Sequence, residues 1–257
     1  MDSKQRVLFC WSGGKDSALC LHRVLASGRF EVVALLTTLN AHYRRVSMHG
    51  IREEVLEIQA QRIGLPLEKM FVSQSSTNEE YADNMRAILL RYKALGVEHV
   101  IYGDIFLEDL RRWREDNLAQ VGMKGVFPLW QNDTKQLVSE FVELGFRAVL
   151  CCVNDAYLGQ DHVGRELNSE FIASLPLDVD ACGENGEYHS FVYAGPIFRE
   201  PLAIQVGEIV YRPLELPHSG ASSSVCPPPS ATLQQRPQTK GFWFCDVTLA
   251  TLGEVAP

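Results

Sequence analysis

The feature that most constrains this chain lies near its start, where residues 7–17 read VLFCWSGGKDS. A run apolar enough for a buried strand passes directly into Ser12, Gly13, Gly14, Lys15, Asp16 and Ser17, and a segment of helical period begins at Asp16. Adjacent glycines let successive backbone N–H groups turn inward as a nest, and the positive end of the following helix dipole points at the same place. Such a turn is an anion site by construction. Lys15 adds a full positive charge, and the hydroxyls of Ser12 and Ser17 are donors for phosphate oxygens. Asp16 does not favour a phosphate directly, so its place here implies a bridging Mg²⁺.

Spacing excludes two other phosphate loops. A Walker A loop needs glycine five positions before Gly14, where Phe9 stands, and Ser or Thr after the lysine, where Asp16 stands. A dinucleotide fingerprint needs a GxGxxG that is absent here. The plainer reading, a Gly-Gly turn beside two solvated charges, leaves the flanking strand and helix unexplained.

From that opening, short apolar runs alternate with longer segments of helical period, the pattern of a parallel sheet covered by helices. Strands are predicted at residues 7–11, 32–38, 67–73, 97–102 and 148–153, each apolar enough to be buried on both faces. Helices are predicted at 16–26, 53–63, 79–95, 107–121 and 135–144, and Gly28, Gly64, Gly96, Gly122 and Gly145 sit just past their ends. Beyond about residue 155 the alternation weakens. A helix over 165–175 stopped by Pro176, and strands at 188–193, 203–211 and 241–249, make a smaller lobe. Residues 217–240, crowded with Pro, Ser and Gln, cannot offset their ordering entropy by burial and are expected to be a mobile loop.

With 257 residues, 46% of them hydrophobic and 22% charged, the chain is long enough for one large or two small domains. The formal charge of −8 is opposite to that of a surface built to neutralise phosphate backbone, so nucleic acid is not the expected partner. The longest apolar runs, 148–153 and 32–36, fall far short of the roughly 18 residues of a membrane helix. Residues 1–6 are charged and lack the layout of a signal peptide, so a cytoplasmic location is expected. The seven cysteines, Cys10, Cys20, Cys151, Cys152, Cys182, Cys226 and Cys245, show no CxxC spacing and suggest neither a disulfide framework nor a zinc ribbon.

SGGKDS after a strand resembles the PP-loop of the N-type ATP pyrophosphatases, the adenine nucleotide alpha hydrolase-like superfamily. Tyr102-Gly103-Asp104-Ile105, residues 127–130 (FPLW), the stretch from Leu167 and above all residues 182–190 (CGENGEYHS) with 195–198 (GPIF) resemble the diphthine–ammonia ligase family over roughly residues 7–211. The GENGE version, followed by an aromatic residue and His, is similar to a bacterial-type branch. The resemblance implies ATP, with Mg²⁺, cleaved between its α and β phosphates to give an adenylated acid and pyrophosphate.

Open parallel sheets present ligands at the carboxyl ends of their strands, where Thr37, Thr38 and Asp104 fall. Asp104 is either a partner of Asp16 on the metal or a helix N-cap, and His49 either touches nucleotide or caps. Residues 180–190 carry three carboxylates and a histidine around two glycines. Glu184 and Glu187 suit ammonium or a cationic group and His189 a proton transfer, whereas the plainer reading is a β-hairpin turned at Asn185-Gly186. Arg111, Arg112 and Arg114 interleave with Glu108, Asp109, Glu115 and Asp116 and read as i, i+4 pairs on a wet helix face. Arg165 either reaches an acidic substrate group or forms a surface salt bridge.

These readings combine into an α/β protein with a parallel, doubly wound, Rossmann-like PP-loop domain over 1–122 and a mixed α+β lobe over 123–257. The expected reaction is ATP-dependent amide formation through an acyl-adenylate, with ammonia as acceptor. The expected catalytic residues are Lys15, Asp16, Asp104, Glu187 and His189, with Asp16 and Asp104 on the metal. Nucleotide contacts fall to Ser12, Gly13, Gly14, Lys15, Asp16, Ser17, Thr37, His49 and Gly103, and substrate contacts to Arg165, Glu184, Asn185 and Glu187. The expected partners are an acidic substrate on a small molecule or a protein, and ammonium; a homodimer is left open. A tRNA sulfurtransferase of the same superfamily and a nucleotide-binding regulator without turnover are the alternatives.

Overall fold

The computed structural model describes residues 4–73, 77–214 and 238–250, so residues 217–237 of the expected mobile loop lie outside the described residues. The strands of the first sheet are β1 (Gln5–Cys10), β2 (Phe30–Asn40), the two-residue β3 (Arg45–Val46), β4 (Leu67–Val72), β5 (His99–Ile101) and β6 (Lys124–Val126). Five of them are parallel in the order β4-β2-β1-β5-β6, and β3 folds back antiparallel onto the end of β2. The order therefore reverses between β1 and β5, which opens a crevice at their carboxyl ends.

The helices are α1 (Lys15–Ala26), α2 (Glu53–Ile63), α3 (Asn78–Ala94), α4 (Glu108–Gln120), α5 (Thr134–Glu143) and the short α6 (Ser169–Ser174). β1 shows how they divide between the two faces, since alternate residues of a strand point in opposite directions. Val7 and Phe9 share one apolar cluster with Leu19 and Leu21 of α1 and Val55 and Leu56 of α2. Leu8 belongs to another, with Leu89 of α3 and Leu118 of α4.

A second sheet is antiparallel throughout, in the order β8-β7-β10-β9, from β7 (Arg147–Asn154), β8 (Tyr188–Ala194), β9 (Ile204–Pro213) and β10 (Gly241–Leu249). Its residues Leu150, Val153, Phe191 and Val247 join the cluster of Val7 and Phe9, so one apolar core serves both sheets. Asp155 clasps the approach to β10 by accepting from the N–H groups of Lys240 at 2.9 Å and Gly241 at 3.2 Å and from the Tyr211 hydroxyl at 2.8 Å. The Leu214 N–H donates to the Lys240 carbonyl beside it. Among the described residues, no helix is long and apolar enough to cross a membrane.

Three expectations are corrected. Residues 148–153 are not a strand of the parallel sheet but the middle of antiparallel β7, which is buried along nearly its whole length and so carries the same uninterrupted apolar run. The fifth parallel strand is instead β6, whose three residues Lys-Gly-Val give no apolar signal. The helix expected from 165 starts only at Ser169. Residues 165–167 run beside β7, with the Leu150 N–H on the Arg165 carbonyl and the Leu167 N–H on the Ala148 carbonyl, until the Asn168 side chain caps α6 by accepting the Phe171 N–H.

The shared core has a measurable consequence. Leu150→Ala, at a fully buried position of β7, is expected to lower unfolding stability by about 2–5 kcal/mol. Urea unfolding followed by far-ultraviolet circular dichroism and by tryptophan fluorescence should give coincident transitions in wild type and variant. Two separated transitions would contradict a common core.

Candidate active site at the strand-order reversal

The crevice between β1 and β5 opens into a cavity of about 880 Å³. Its walls include Ser12, Lys15, Asp16 and Ser17 of the loop after β1, Thr37 and Thr38 of β2, His49, Gly103 and Asp104 after β5, and Glu184, Asn185 and His189 from the second sheet's approach. Five segments distant in sequence thus meet at one place.

The loop's shape rests on Gly13, whose φ of +80° disfavours any side chain and whose Cβ would lie 3.0 Å from both Gln59 Oε1 and Leu56 Cδ1. Its carbonyl accepts the Val192 N–H at 2.9 Å and Gln59 Nε2 at 3.1 Å. Gly14 begins α1 without a side-chain cap, which leaves the helix's first turn directed at the cavity. A Cβ there would come within 3.0 Å of His49 Nε2 and the Ser190 carbonyl. The Gly14 N–H donates to Ser12 Oγ at 3.2 Å and the Lys15 N–H to Ser190 Oγ at 3.1 Å, so hydroxyl oxygens accept from both N–H groups.

Lys15 is only 4% exposed. Its Nζ donates to Asp16 Oδ2 at 2.8 Å and to the Cys182 carbonyl, and lies 5.2 Å from the centre of the Tyr188 ring. Burial alone would lower its pKa, but the negative charge of Asp16 and its other neighbours outweigh that and the net shift is upward, so the ammonium stays charged. Asp104 is half-buried and its carboxyl pKa is raised, by burial first; Arg114 opposes that and Asp16 adds to it. Arg114 Nε sits 3.1 Å from Asp104 Oδ2, yet the alignment is not that of a hydrogen bond and both atoms are left without one. Glu184 accepts the Ile105 N–H at 3.1 Å, and burial, reinforced by Asp16, pushes its pKa up to about 8.

Residues 180–187 form a loop leading into β8, which pairs with β7; they are not the two-residue hairpin of the plainer reading. Asp180 Oδ1 accepts the Cys182 and Glu184 N–H groups and Oδ2 the Thr134 hydroxyl. Glu187, 1% exposed, accepts the Asp180 N–H, the Asn185 N–H and Asn185 Nδ2. Both its oxygens are therefore engaged inside the loop and it does not line the cavity, which corrects its expected catalytic and substrate-binding roles: Glu187 shapes the loop that presents Glu184 and Asn185. Arg165 also lies outside the cavity wall, with its guanidinium 5.6 Å from the Phe171 ring centre, so no substrate contact is supported for it.

His49 and His189 meet across the loop with ring centres 4.7 Å apart and ring planes tilted by 43°. Burial lowers the His49 pKa to about 4 and pushes His189 well below the usual range, so both are neutral at pH 7. His189 Nε2 and Thr37 Oγ1 are buried without a hydrogen-bond partner.

Arg114 was misjudged from sequence as part of a wet face. Arg111 and Arg112 do pair along the helix, with Glu115 at 3.0 Å and Asp109 at 3.9 Å, but Arg114 turns inward over the Tyr102 ring at 4.2 Å. The signal was present, since position 114 lies four residues from both Leu110 and Leu118 on the helix's apolar stripe. Gln59 was missed as well, hidden by its polar type inside a helix.

The reversal in strand order, the uncapped helix start and the buried lysine define an α/β nucleotide-binding protein of the PP-loop type. Residues 5–125 match the diphthamide synthase N-terminal domain and residues 133–214 the diphthamide synthase C-terminal domain. The chain belongs to the diphthamide synthase family. Among its relatives, the diphthine–ammonia ligase of Danio rerio is 27% identical over 227 residues, spanning 80% of this chain and 88% of that one. Those of Bos taurus and Homo sapiens are 27% and 26% identical over 235 residues, each spanning 80% of this chain and 85% of their own. A tRNA thiolase structure from Methanococcus maripaludis covers 56% of this chain at 14% identity with a TM-score of 0.34, too distant to carry any chemistry across.

The raised pKa of Glu184 makes stability depend on pH. An acid protonated in the folded state up to about 8 and ionised in the unfolded state above its ordinary 4.5 stabilises fully below 4.5, and that contribution is lost as pH rises to 8. Glu184→Gln is expected to flatten the decline in Tm between pH 5 and 8.5. Differential scanning calorimetry across that range checks it; parallel curves for the two proteins would refute the assignment.

Proposed function

We propose that this protein is an ATP-dependent amide-forming ligase, in which a substrate carboxylate attacks the α-phosphorus of ATP, pyrophosphate departs, and ammonia displaces AMP from the acyl-adenylate. The observation that carries this reading is the buried, charged Lys15 beneath an uncapped helix start at the strand-order reversal. Relatives named diphthine–ammonia ligase support it, and diphthine is accordingly the first acid to test.

The loop's backbone N–H groups and Lys15 Nζ face the site where negative charge grows on the departing pyrophosphate, and a fixed donor set there stabilises the transition state without reorganisation. Asp16 and Asp104, whose Oδ2 makes no hydrogen bond, would supply hard oxygens of the kind Mg²⁺ takes, and a bound ion would neutralise further charge on the pyrophosphate. Among the described residues no group of three or more His, Cys, Asp and Glu is placed to hold a metal. Mg²⁺ accepts one or two protein carboxylates and completes its shell with phosphate and water.

In the second half-reaction an ammonium ion must lose a proton before attack. Glu184, with a pKa near 8, is better matched to receive it than His189, whose strongly lowered pKa makes it a weak base. His189 Nε2, buried without a partner, serves instead to accept an N–H from the bound ammonia. The products are amide, AMP, pyrophosphate and a proton. The sulfurtransferase alternative needs a low-pKa cysteine, and burial raises the thiol pKa of every cysteine among the described residues.

Chromatography of labelled ATP after incubation with diphthine-bearing protein and ammonium should show AMP and pyrophosphate. ADP and phosphate would exclude the mechanism. Lys15→Ala and Asp16→Ala are each expected to slow pyrophosphate release on the order of 10²–10³-fold. Glu184→Gln should leave pyrophosphate release largely intact while amide formation falls, a separation that loss of ATP binding would not produce.

A further inference from the structure

Gln59, near the middle of α2, is completely buried. A side-chain amide taken out of water needs partners for its oxygen and its N–H groups. Gln59 Oε1 accepts the Trp11 indole N–H at 2.9 Å, while Nε2 donates to the Gly13 carbonyl at 3.1 Å and the Val192 carbonyl at 2.6 Å. One amide thus joins the residue after β1, the first glycine of the loop and β8 of the second sheet.

The consequence lies in a single peptide plane. The Gly13 carbonyl and the Gly14 N–H belong to one planar trans unit and point in opposite directions. Glycine on both sides makes that plane easy to flip. Held on its carbonyl side by Gln59 Nε2 and the Val192 N–H, the plane keeps the Gly14 N–H on the inner side of the loop, where it meets Ser12 Oγ. A flipped plane would present a carbonyl oxygen to the anion.

We propose that Gln59 is a positioning residue that locks the Gly13–Gly14 peptide in its anion-receiving orientation and couples that orientation to the docking of β8. The inference rests on the reading of the loop as a pyrophosphate site. Gln59→Met keeps the length of the side chain and removes all three hydrogen bonds. Trp11→Phe removes only the partner that orients the amide, and Ile63→Val, one turn along α2, perturbs the same helix without touching the loop.

Binding of inorganic pyrophosphate, measured by isothermal titration calorimetry with Tm recorded for each protein, is the test. Gln59→Met is expected to raise Kd about tenfold, the equivalent of ~1.4 kcal/mol, with a smaller rise in Trp11→Phe. Ile63→Val should lower Tm and leave Kd unchanged. Wild-type affinity in Gln59→Met would overturn the proposal, as would a rise in Kd for Ile63→Val in proportion to its loss of Tm. If Gln59→Met does not fold, unchanged affinity in Trp11→Phe overturns it equally. Failure of the wild-type protein to bind pyrophosphate would instead overturn the phosphate-loop reading itself.

Discussion

The Lys15 ammonium is almost out of water, and a buried charge persists only where other charges and dipoles replace its hydration. Asp16 supplies one replacement from the next residue, but the Cys182 carbonyl and the Tyr188 ring come from a segment more than 160 residues further along the chain. Neither can reach Lys15 unless the second sheet closes over the start of α1. Val192 and Ser190 secure that closure by bonding the loop itself, and Asp180 and Glu187 hold the 180–187 turn so that its carbonyl points the right way. The antiparallel sheet is thus an electrostatic requirement of the parallel one. A phosphate loop with a solvated lysine would have needed no such lid.

Much of this was legible in the sequence because it is written in local patterns. The strand–loop–helix opening, the alternating runs and the glycines after each helix depend on neighbours within a few residues, and the parallel core emerged from them. What stayed hidden depends on partners far away. Residues 148–153 look alike in a parallel or an antiparallel sheet because both bury the strand on its two faces. Glu187 reads as a site residue because it stands in an acid-rich segment that resembles the family's, whereas its side chain is engaged by N–H groups whose direction no spacing reveals. Arg114 sits in a string of alternating charges, and only its place on the apolar stripe of α4 separates it from Arg111 and Arg112.

The site is also out of electrostatic balance. Asp16, Asp104 and Glu184 converge on a region that also holds Lys15 and Arg114, and burial first, with repulsion from Asp16, raises the pKa values of Asp104 and Glu184. Perturbed acids of this kind gather where a further positive charge is to be received. Thr37 Oγ1 and His189 Nε2, buried without partners on the same walls, extend the imbalance from charge to hydrogen bonding. Tolerating such groups costs stability, and the apolar core common to both sheets offsets it.

The clasp at Asp155 bears on how this chain can change length. Pro213 and Gly241 face each other in register, the Leu214 N–H meets the Lys240 carbonyl, and Asp155 fastens Lys240, Gly241 and Tyr211, so both ends of the intervening stretch are fixed within a hydrogen bond of one another. Closing a connection between ends already joined is a weak function of its length, about 0.6 kcal/mol for each doubling. The sheet's topology therefore makes this junction a place where residues can be gained or lost over evolution, or a foreign module spliced in, at little cost in closure entropy.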